Sequence, residues 1–164
     1  MLTRRTLLAS AALSSLASTL ANAQAAKEVV IGAIYPFTGS GAQVGVDARY
    51  ALETAVELIN ESHQLDLPLA RDAGLPNLGG AKIRLVYADH QADPQKGRAE
   101  AERLITQDKV AALIGTYYSS VAAVVSQVAE RYQVPFVAAE SSSPSLHQKG
   151  LKYFFRPGPH DEMY

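Results

Sequence analysis

Cysteine and tryptophan are absent from this 164-residue sequence, and aromatic residues make up only 7% of it. Without cysteine the chain can form no disulfide framework, no cysteine-ligated metal site and no thiol redox centre. A strong excess of one charge is missing too, since 15 basic residues stand against 16 acidic ones. We therefore expect no nucleic-acid partner, because phosphate binding needs clustered positive charge. The fold must rest on its hydrophobic core, and this length suits one domain.

The first 23 residues have the pattern of a signal peptide. Arg4 and Arg5 give a positive start, an apolar run follows, and residues 21–23 (Ala-Asn-Ala) fit the small-x-small cleavage pattern. The run is too short to span a bilayer, and no cysteine follows it to carry a lipoprotein anchor. The paired arginines also resemble a twin-arginine signal, so the twin-arginine and general secretory routes both stay open. We expect residues 24–164 to be exported to the periplasm.

Strand and helix patterns alternate along the rest of the chain. Continuous apolar runs are typical of strands buried on both faces of a parallel sheet, and apolar residues at helical spacing indicate the helices between them. The predicted strands cover 29–35, 82–88, 110–114, 135–138 and 153–155. This α/β order predicts right-handed crossovers and an open parallel sheet with helices on both faces.

Three helices are expected between the strands. We predict that Asp47 caps the first, which ends near Asn60, and that Asp93 caps the second, with Pro94 at its first position. Apolar spacing predicts the buried side of each helix. In chain order these residues are Ala48, Leu52, Val56 and Ile59, then Ala101, Leu104 and Ile105, then Val121, Val124, Val125, Val128 and Tyr132.

Ligands of such sheets bind beside the carboxyl ends of the strands. The loops that follow the strands are 36–45, 89–93, 115–120 and 139–145. Loop 115–120 is the most informative, because it enters a helix whose free amides and positive end suit a carboxylate. A hydroxyl from Ser119 or Ser120 adds a donor there. The alternative is that one of these serines only caps the helix.

The motifs in these loops resemble, in family order across 28–160, the type I periplasmic binding proteins of the leucine/isoleucine/valine-binding family. The matching segments are 31–33 with 38–39, 55–60, 89–94, 112–115, 134–136, 141–146 and 150–156. The resemblance implies two lobes joined by a hinge, with ligand trapped between them and no cofactor. It also implies that residues 24–164 form most of the N-terminal lobe, truncated before the second lobe.

The resemblance assigns ligand-binding roles by position. The family's carboxylate-binding serine aligns with Ser119, next to Ser120. The groups that hold the ligand's amino group and carboxylate align with the main chain of Glu140 and with Ser142. Ser141, which lies between them, is predicted to bind ligand as well. Many relatives lack an acid at position 140, so we hypothesise that the Glu140 side chain contacts a positively charged or amide-bearing ligand. The alternative is a solvated loop acid.

Other residues near these loops have less defined roles. Tyr117 and Tyr118 are candidates for the cleft wall, since each offers an apolar face and a hydroxyl, although one of them is expected to pack within the lobe. Asp89 is predicted to be structural. His90 is expected at the surface, with a position at the edge of the cleft as the alternative. Val44 stands where some amino-acid-binding relatives have an aromatic residue, so their side-chain preference is not carried over.

The resemblance implies the substrate-binding component of an ABC importer, which captures an amino acid or similar small polar ligand and docks on a membrane permease. A ligand-sensing subunit of a receptor or regulator with this fold is the alternative. Enzyme function is disfavoured: the glycines of 39–45 depart from dinucleotide-binding spacing, and no G-x-S-x-G elbow occurs. The four histidines have no metal-ligand spacing, so neither cofactor nor metal is expected.

Overall fold

The computed structural model describes residues 28–163, so the predicted signal peptide at 1–23 and the final Tyr164 lie outside the described residues. Its strands are β1 Val29–Tyr35, β2 Ile83–Asp89, β3 Ala112–Gly115, β4 Phe136–Ala138 and β5 Phe154–Phe155. All neighbouring strands pair in parallel, in the order β2-β1-β3-β4-β5. The predicted open parallel sheet is confirmed, with strand ends that shift by one or two residues.

Three α-helices connect the strands: α1 Ala42–Asn60, α2 Pro94–Thr106 and α3 Ser119–Tyr132. The chain moves outward from β1 to β2 and then back to β3 and β4. Right-handed crossovers therefore place α1 on one face of the sheet and the contacting pair α2 and α3 on the other. The predicted helices on both faces are confirmed. Among the described helices, none combines the length and the apolar character that crossing a membrane requires.

The core lies between the sheet and the α2–α3 pair. Leu104 from α2, Val121 from α3, and Leu113 and Phe136 from the sheet are completely buried. The two helices approach closely at Gly97, where an added β-carbon would lie 2.4 Å from Cγ1 of Val121. This packing fixes the N-terminus of α3 against the carboxyl edge of the sheet.

The face that carries α1 is packed less completely. The inward residues predicted for this helix are only half-buried: Ala48, Leu52, Val56 and Ile59. Phe154 packs against the core, so the alternation of side chains along a strand places Phe155 on the α1 face, where it is 50% exposed.

The start of α1 differs from the prediction. A 3₁₀ turn at Gly39–Gly41 leads directly into the helix, and Gly41 occupies the N-cap position without a side-chain hydrogen bond. Asp47 lies inside α1, where its carboxylate accepts a hydrogen bond from the Gln43 side chain at 2.8 Å. The prediction that Asp47 caps the helix was wrong, because the glycine-rich segment winds into helix before that residue is reached.

The start of α2 matches its prediction. The Asp93 carboxylate accepts hydrogen bonds from the amides of Gln95 at 2.7 Å and Lys96 at 3.3 Å, and Pro94 is the first helical residue. Two of the first free amides of the helix are thereby satisfied.

The predicted stripe of α3 is partly correct. Val121, Val125 and Val128 are buried, but Val124 is only half-buried. Tyr132 is 38% exposed, because its ring lies in the last helical turn, 4.7 Å from the guanidinium of Arg131. Small residues take the remaining inward positions: Ala122, Ser126 and Ala129.

Candidate functional site

The candidate site lies at the carboxyl edge of β1, β3 and β4, which are neighbours in the sheet. The strand register pairs Ile34 with Gly115 and Gly115 with Ala138, so the loops that follow these residues start side by side. The loops after β3 and β4, together with the first turn of α3, carry the seven predicted site residues, and the topology brings them together.

The N-terminus of α3 offers free donors to this edge. Tyr118 occupies the N-cap position without a side-chain hydrogen bond, and Ser119 and Ser120 are the first two helical residues. The Tyr118 carbonyl accepts the amides of Val121 at 3.0 Å and Ala122 at 2.9 Å. Within residues 28–163 the amides of Ser119 and Ser120 have no acceptor, so they remain free at the positive end of the helix. Neither serine caps the helix, which excludes the simpler alternative for this loop.

Two hydrogen bonds join the loops after β3 and β4. The Ser119 hydroxyl oxygen accepts the amide of Ser143 at 3.2 Å, which leaves its own proton free to donate. The Ser141 hydroxyl donates to the Tyr117 carbonyl at 3.2 Å, and Ser141 is almost fully buried. Ser141 therefore holds the two loops together instead of facing the open edge.

Ser142 and Ser120 present hydroxyls that are not used within the protein. Ser142 is half-buried and Ser120 is exposed, and neither side chain has a hydrogen-bond partner in the described part of the chain. The Ser142 carbonyl accepts the amide of Asp161 at 3.1 Å, so its backbone is fixed while its hydroxyl is free.

The two tyrosines take different positions. Tyr118 packs against the core, and its ring lies edge-on to the His90 ring at a centroid distance of 6.0 Å. Tyr117 is 41% exposed, with its ring nearly perpendicular to that of Tyr118 at 5.0 Å. One tyrosine thus packs in the lobe and the other faces the open edge.

His90 is completely buried, so its predicted surface position was wrong. Its Nε2 lies 2.9 Å from the Thr116 carbonyl, and its Nδ1 accepts the Ala92 amide at 3.0 Å. These contacts define a neutral imidazole with its proton on Nε2. Burial lowers the pKa of His90, outweighing the hydrogen bond to Thr116 and the charge of Asp89. The ring ties the end of β2 to the loop after β3.

Asp89 has the structural role that was predicted. Its carboxylate accepts the Phe37 and Gln91 amides, both at 2.9 Å, and the Thr38 hydroxyl at 2.6 Å. Burial alone would raise the pKa of this carboxyl, but these hydrogen bonds outweigh it and lower the pKa below its usual value. Asp89 thereby fixes the loop after β1.

Glu140 makes a contact that sequence patterns did not reveal. The hydroxyl of Tyr35, at the end of β1, donates to its carboxylate at 3.0 Å from Oε1 and 3.2 Å from Oε2. Partial burial of the carboxyl raises the pKa of Glu140, and hydrogen bonds from Tyr35 and from its own backbone amide offset only part of that rise. The pKa of Tyr35 is also raised, by burial and by the adjacent Glu140 charge. Only the strand order brings these two residues together.

Arg156 is a second residue that the patterns missed. It follows β5, and its Nη1 donates to the carbonyls of Ser141 at 3.2 Å and Ser143 at 2.8 Å. These bonds fix the backbone of the Glu140–Ser142 loop. The sequence placed Arg156 just after a predicted strand but did not indicate its partners, because main-chain carbonyls carry no sequence signature.

Comparison with known proteins agrees with this architecture. Residues 28–164 match the family model described as periplasmic binding protein. The chain belongs to the periplasmic binding protein family. The Leu/Ile/Val-binding protein homolog 7 of Brucella suis is 33% identical over 147 residues, which cover 89% of this chain and 33% of that protein. The chain thus spans about a third of the length of the curated relatives it matches.

Solved structures show the same fold. The branched-chain amino acid transporter substrate-binding protein LivJ of Streptococcus pneumoniae, solved with isoleucine, has a TM-score of 0.68 and 25% identity, over 82% of this chain and 35% of that one. A substrate-binding protein of a Desulfitobacterium hafniense ABC transporter, solved with Leu, has a TM-score of 0.64 and 27% identity, over 84% and 36%. These relatives are solute-binding proteins and not enzymes.

Proposed function

We propose that this family member supplies the ligand-binding N-terminal lobe of an extracytoplasmic ABC-importer receptor, which captures an amino acid or similar small polar ligand. The observation that carries the proposal is the pair of free amides at Ser119 and Ser120, with the Ser119 hydroxyl on the same helix and the unused Ser142 hydroxyl on the adjoining loop. Neutral donors at a helix N-terminus suit a carboxylate without the desolvation cost of a buried cation. The named ligands of the relatives, isoleucine and Leu, both carry that group.

In the proposed mechanism this lobe carries one half of the ligand-binding surface and a second lobe carries the other half. Ligand binds first at the open carboxyl edge, where its carboxylate meets α3 and its amino group meets the Glu140 carbonyl. A second lobe then closes over it, and the closed form docks on the permease. Binding free energy stabilises closure, so no bond-making group is needed. On its own the 164-residue chain is expected to bind ligand more weakly than micromolar, and a sub-micromolar constant by calorimetry would contradict this.

The carboxylate site is tested with L-leucine and L-leucinamide, which differ at the group that α3 is proposed to hold. In the protein expressed from its complete gene, we expect Ser119→Ala to weaken L-leucine binding about tenfold or more, as for loss of a hydrogen bond to a charged group. L-leucinamide should bind more weakly than L-leucine in the unaltered protein. Isothermal titration calorimetry measures both.

The matched control is Ser62→Ala, because the Ser62 hydroxyl donates to the Arg71 carbonyl in the exposed loop after α1, outside the site. It should leave the L-leucine affinity unchanged. Equal affinities of the Ser119→Ala variant and the unaltered protein would show that the free donors of α3 do not hold the ligand.

Export is proposed to depend on residues 1–23. The mature protein recovered from the periplasm should begin at Gln24 when its N-terminus is sequenced. Replacing Arg4 and Arg5 by lysine should block export if the twin-arginine route is used and leave it intact if the general secretory route is used. Retention of residues 1–23 on the periplasmic protein would contradict the cleavage site.

A further inference from the structure

The Tyr35–Glu140 contact spans three strands at the candidate site. Tyr35 ends β1 and Glu140 lies two residues beyond β4, with the end of β3 between them. β3 ends at Gly115, where an added β-carbon would lie 2.1 Å from the Ile34 carbonyl oxygen. A side chain at position 115 would therefore push β1 and β3 apart at this edge.

The hydrogen bond from Tyr35 leaves the Glu140 carboxylate short of partners. Tyr35 has one hydroxyl proton, shared between the two oxygens at 3.0 and 3.2 Å, whereas an ionised carboxylate has about four acceptor positions. Within residues 28–163 no lysine, arginine or histidine lies within ion-pair distance of it. Glu140 is also an exposed residue, so its remaining acceptor positions can be reached from the open edge.

Tyr35 differs from Glu140 in exposure. It is 1% exposed, so its ring is fixed in the sheet and only its hydroxyl reaches the edge. A rigid phenol that donates to both oxygens orients the carboxylate plane and limits the rotation of a flexible side chain. This arrangement prepares an acceptor for a donor from outside the lobe.

We propose that Glu140, positioned by Tyr35, binds a cationic group of the ligand, so that the preferred ligands are amino acids with a guanidinium or ammonium side chain. The inference rests on the proposed function, because the ligand carboxylate is held by α3. The Ser143 amide donates to the Ser119 hydroxyl, so Ser143 marks the Ser119 region on the loop after β4. Glu140 and Ser143 are three residues apart, a span of at most about 11 Å of extended backbone. One long amino acid can therefore contact both the Ser119 region and the Glu140 carboxylate.

The test uses three probes of similar length: L-arginine, its neutral analogue L-citrulline, and the apolar L-norleucine. In the protein expressed from its complete gene, we expect calorimetry to give at least about tenfold tighter binding of L-arginine than of L-citrulline, because a charge-assisted hydrogen bond is about twice as strong as a neutral one. Glu140→Gln should abolish this ratio, and Tyr35→Phe should reduce it. Glu57→Gln, which makes the same charge change on exposed α1 surface, should leave the ratio unchanged.

The outcomes separate the two proposals. If L-norleucine binds and the Glu140→Gln variant keeps the probe ratios of the unaltered protein, the cation site is refuted while ligand capture by α3 stands. If none of the three probes nor L-leucine binds, amino-acid capture by α3, on which both proposals rest, fails. If Tyr35→Phe lowers the melting temperature and leaves the ratios unchanged, Tyr35 is structural and does not position Glu140.

Discussion

The two faces of the sheet differ in how completely they are packed. On the face that carries α2 and α3, Leu104, Leu113 and Phe136 are fully buried. On the α1 face, Leu52 is only half-buried and Phe155 is 50% exposed. Apolar side chains stabilise a fold in proportion to their buried area, at about 25 cal/mol per Å². Most of the stability of the described region therefore comes from the α2–α3 face, which also positions the free amides of the candidate site.

The comparison predicts unequal costs for the same substitution on the two faces. Leu104→Ala should lower the free energy of unfolding by about 2–5 kcal/mol, because it leaves a cavity among fully buried side chains. Leu52→Ala is the matched control in α1, and it should cost about 1 kcal/mol, since only part of that side chain leaves contact. Urea unfolding followed by circular dichroism measures both, and equal losses would refute the inequality of the faces.

The close approach of α2 and α3 predicts the next largest effect. Gly97→Ala places a methyl group 2.4 Å from Cγ1 of Val121, whose branched side chain has little freedom to move. We expect a net loss of about 1–3 kcal/mol from overpacking, although alanine is the better helix former by about 1 kcal/mol.

A double-mutant cycle isolates that contact. In a Val121→Ala background the added methyl group has room, so Gly97→Ala should then cost little or even stabilise the protein. If Gly97→Ala stabilises the unaltered protein as well, the two helices are not as close as the structure shows.

His90 links the α2–α3 face to the site and predicts a pH dependence. Its folded pKa is lowered, so the unfolded chain binds a proton, with a pKa of about 6.5, that the folded protein excludes. The stabilisation is complete above about pH 6.5 and is lost as the pH falls through the folded pKa. The slope is at most about 1.4 kcal/mol per pH unit for one proton.

Urea unfolding between neutral pH and about pH 5, where carboxylates contribute less, measures this slope. His90→Gln removes the titrating group and should flatten the profile in that range, with a loss of about 1–3 kcal/mol at neutral pH from the broken hydrogen bonds. Equal slopes for the variant and the unaltered protein would show that another group is responsible.

The sequence predicted the fold well because apolar patterns act locally. The runs at β1 and β3 and the spacing in α2 depend on neighbouring residues, and the strand order follows from right-handed crossovers. The same logic placed Ser119 at a helix start after a strand. The alternation of strands and helices fixes that position, so it does not depend on how individual side chains pack.

Contacts between residues far apart in the chain could not be predicted from the sequence. Tyr35 and Glu140 are 105 residues apart, and Arg156 reaches backbone carbonyls, so no pattern indicated either contact. His90 was expected at the surface, because a polar residue after a strand does not show which main-chain groups will satisfy its ring. Such details need the three-dimensional register of the strands.

Helix capping predicts the smallest difference between the two faces, because α2 begins with a side-chain cap and α1 does not. Asp93→Ala removes the bonds to the Gln95 and Lys96 amides and should cost about 1 kcal/mol, whereas Asp93→Asn should retain most of the stability. Asp47→Ala, at the residue wrongly predicted to cap α1, loses only an exposed contact to Gln43 and should change stability by less than about 0.5 kcal/mol. Chemical unfolding resolves this difference, and a larger loss at Asp47 would mean that α1 begins at Asp47 in solution and not at Ala42.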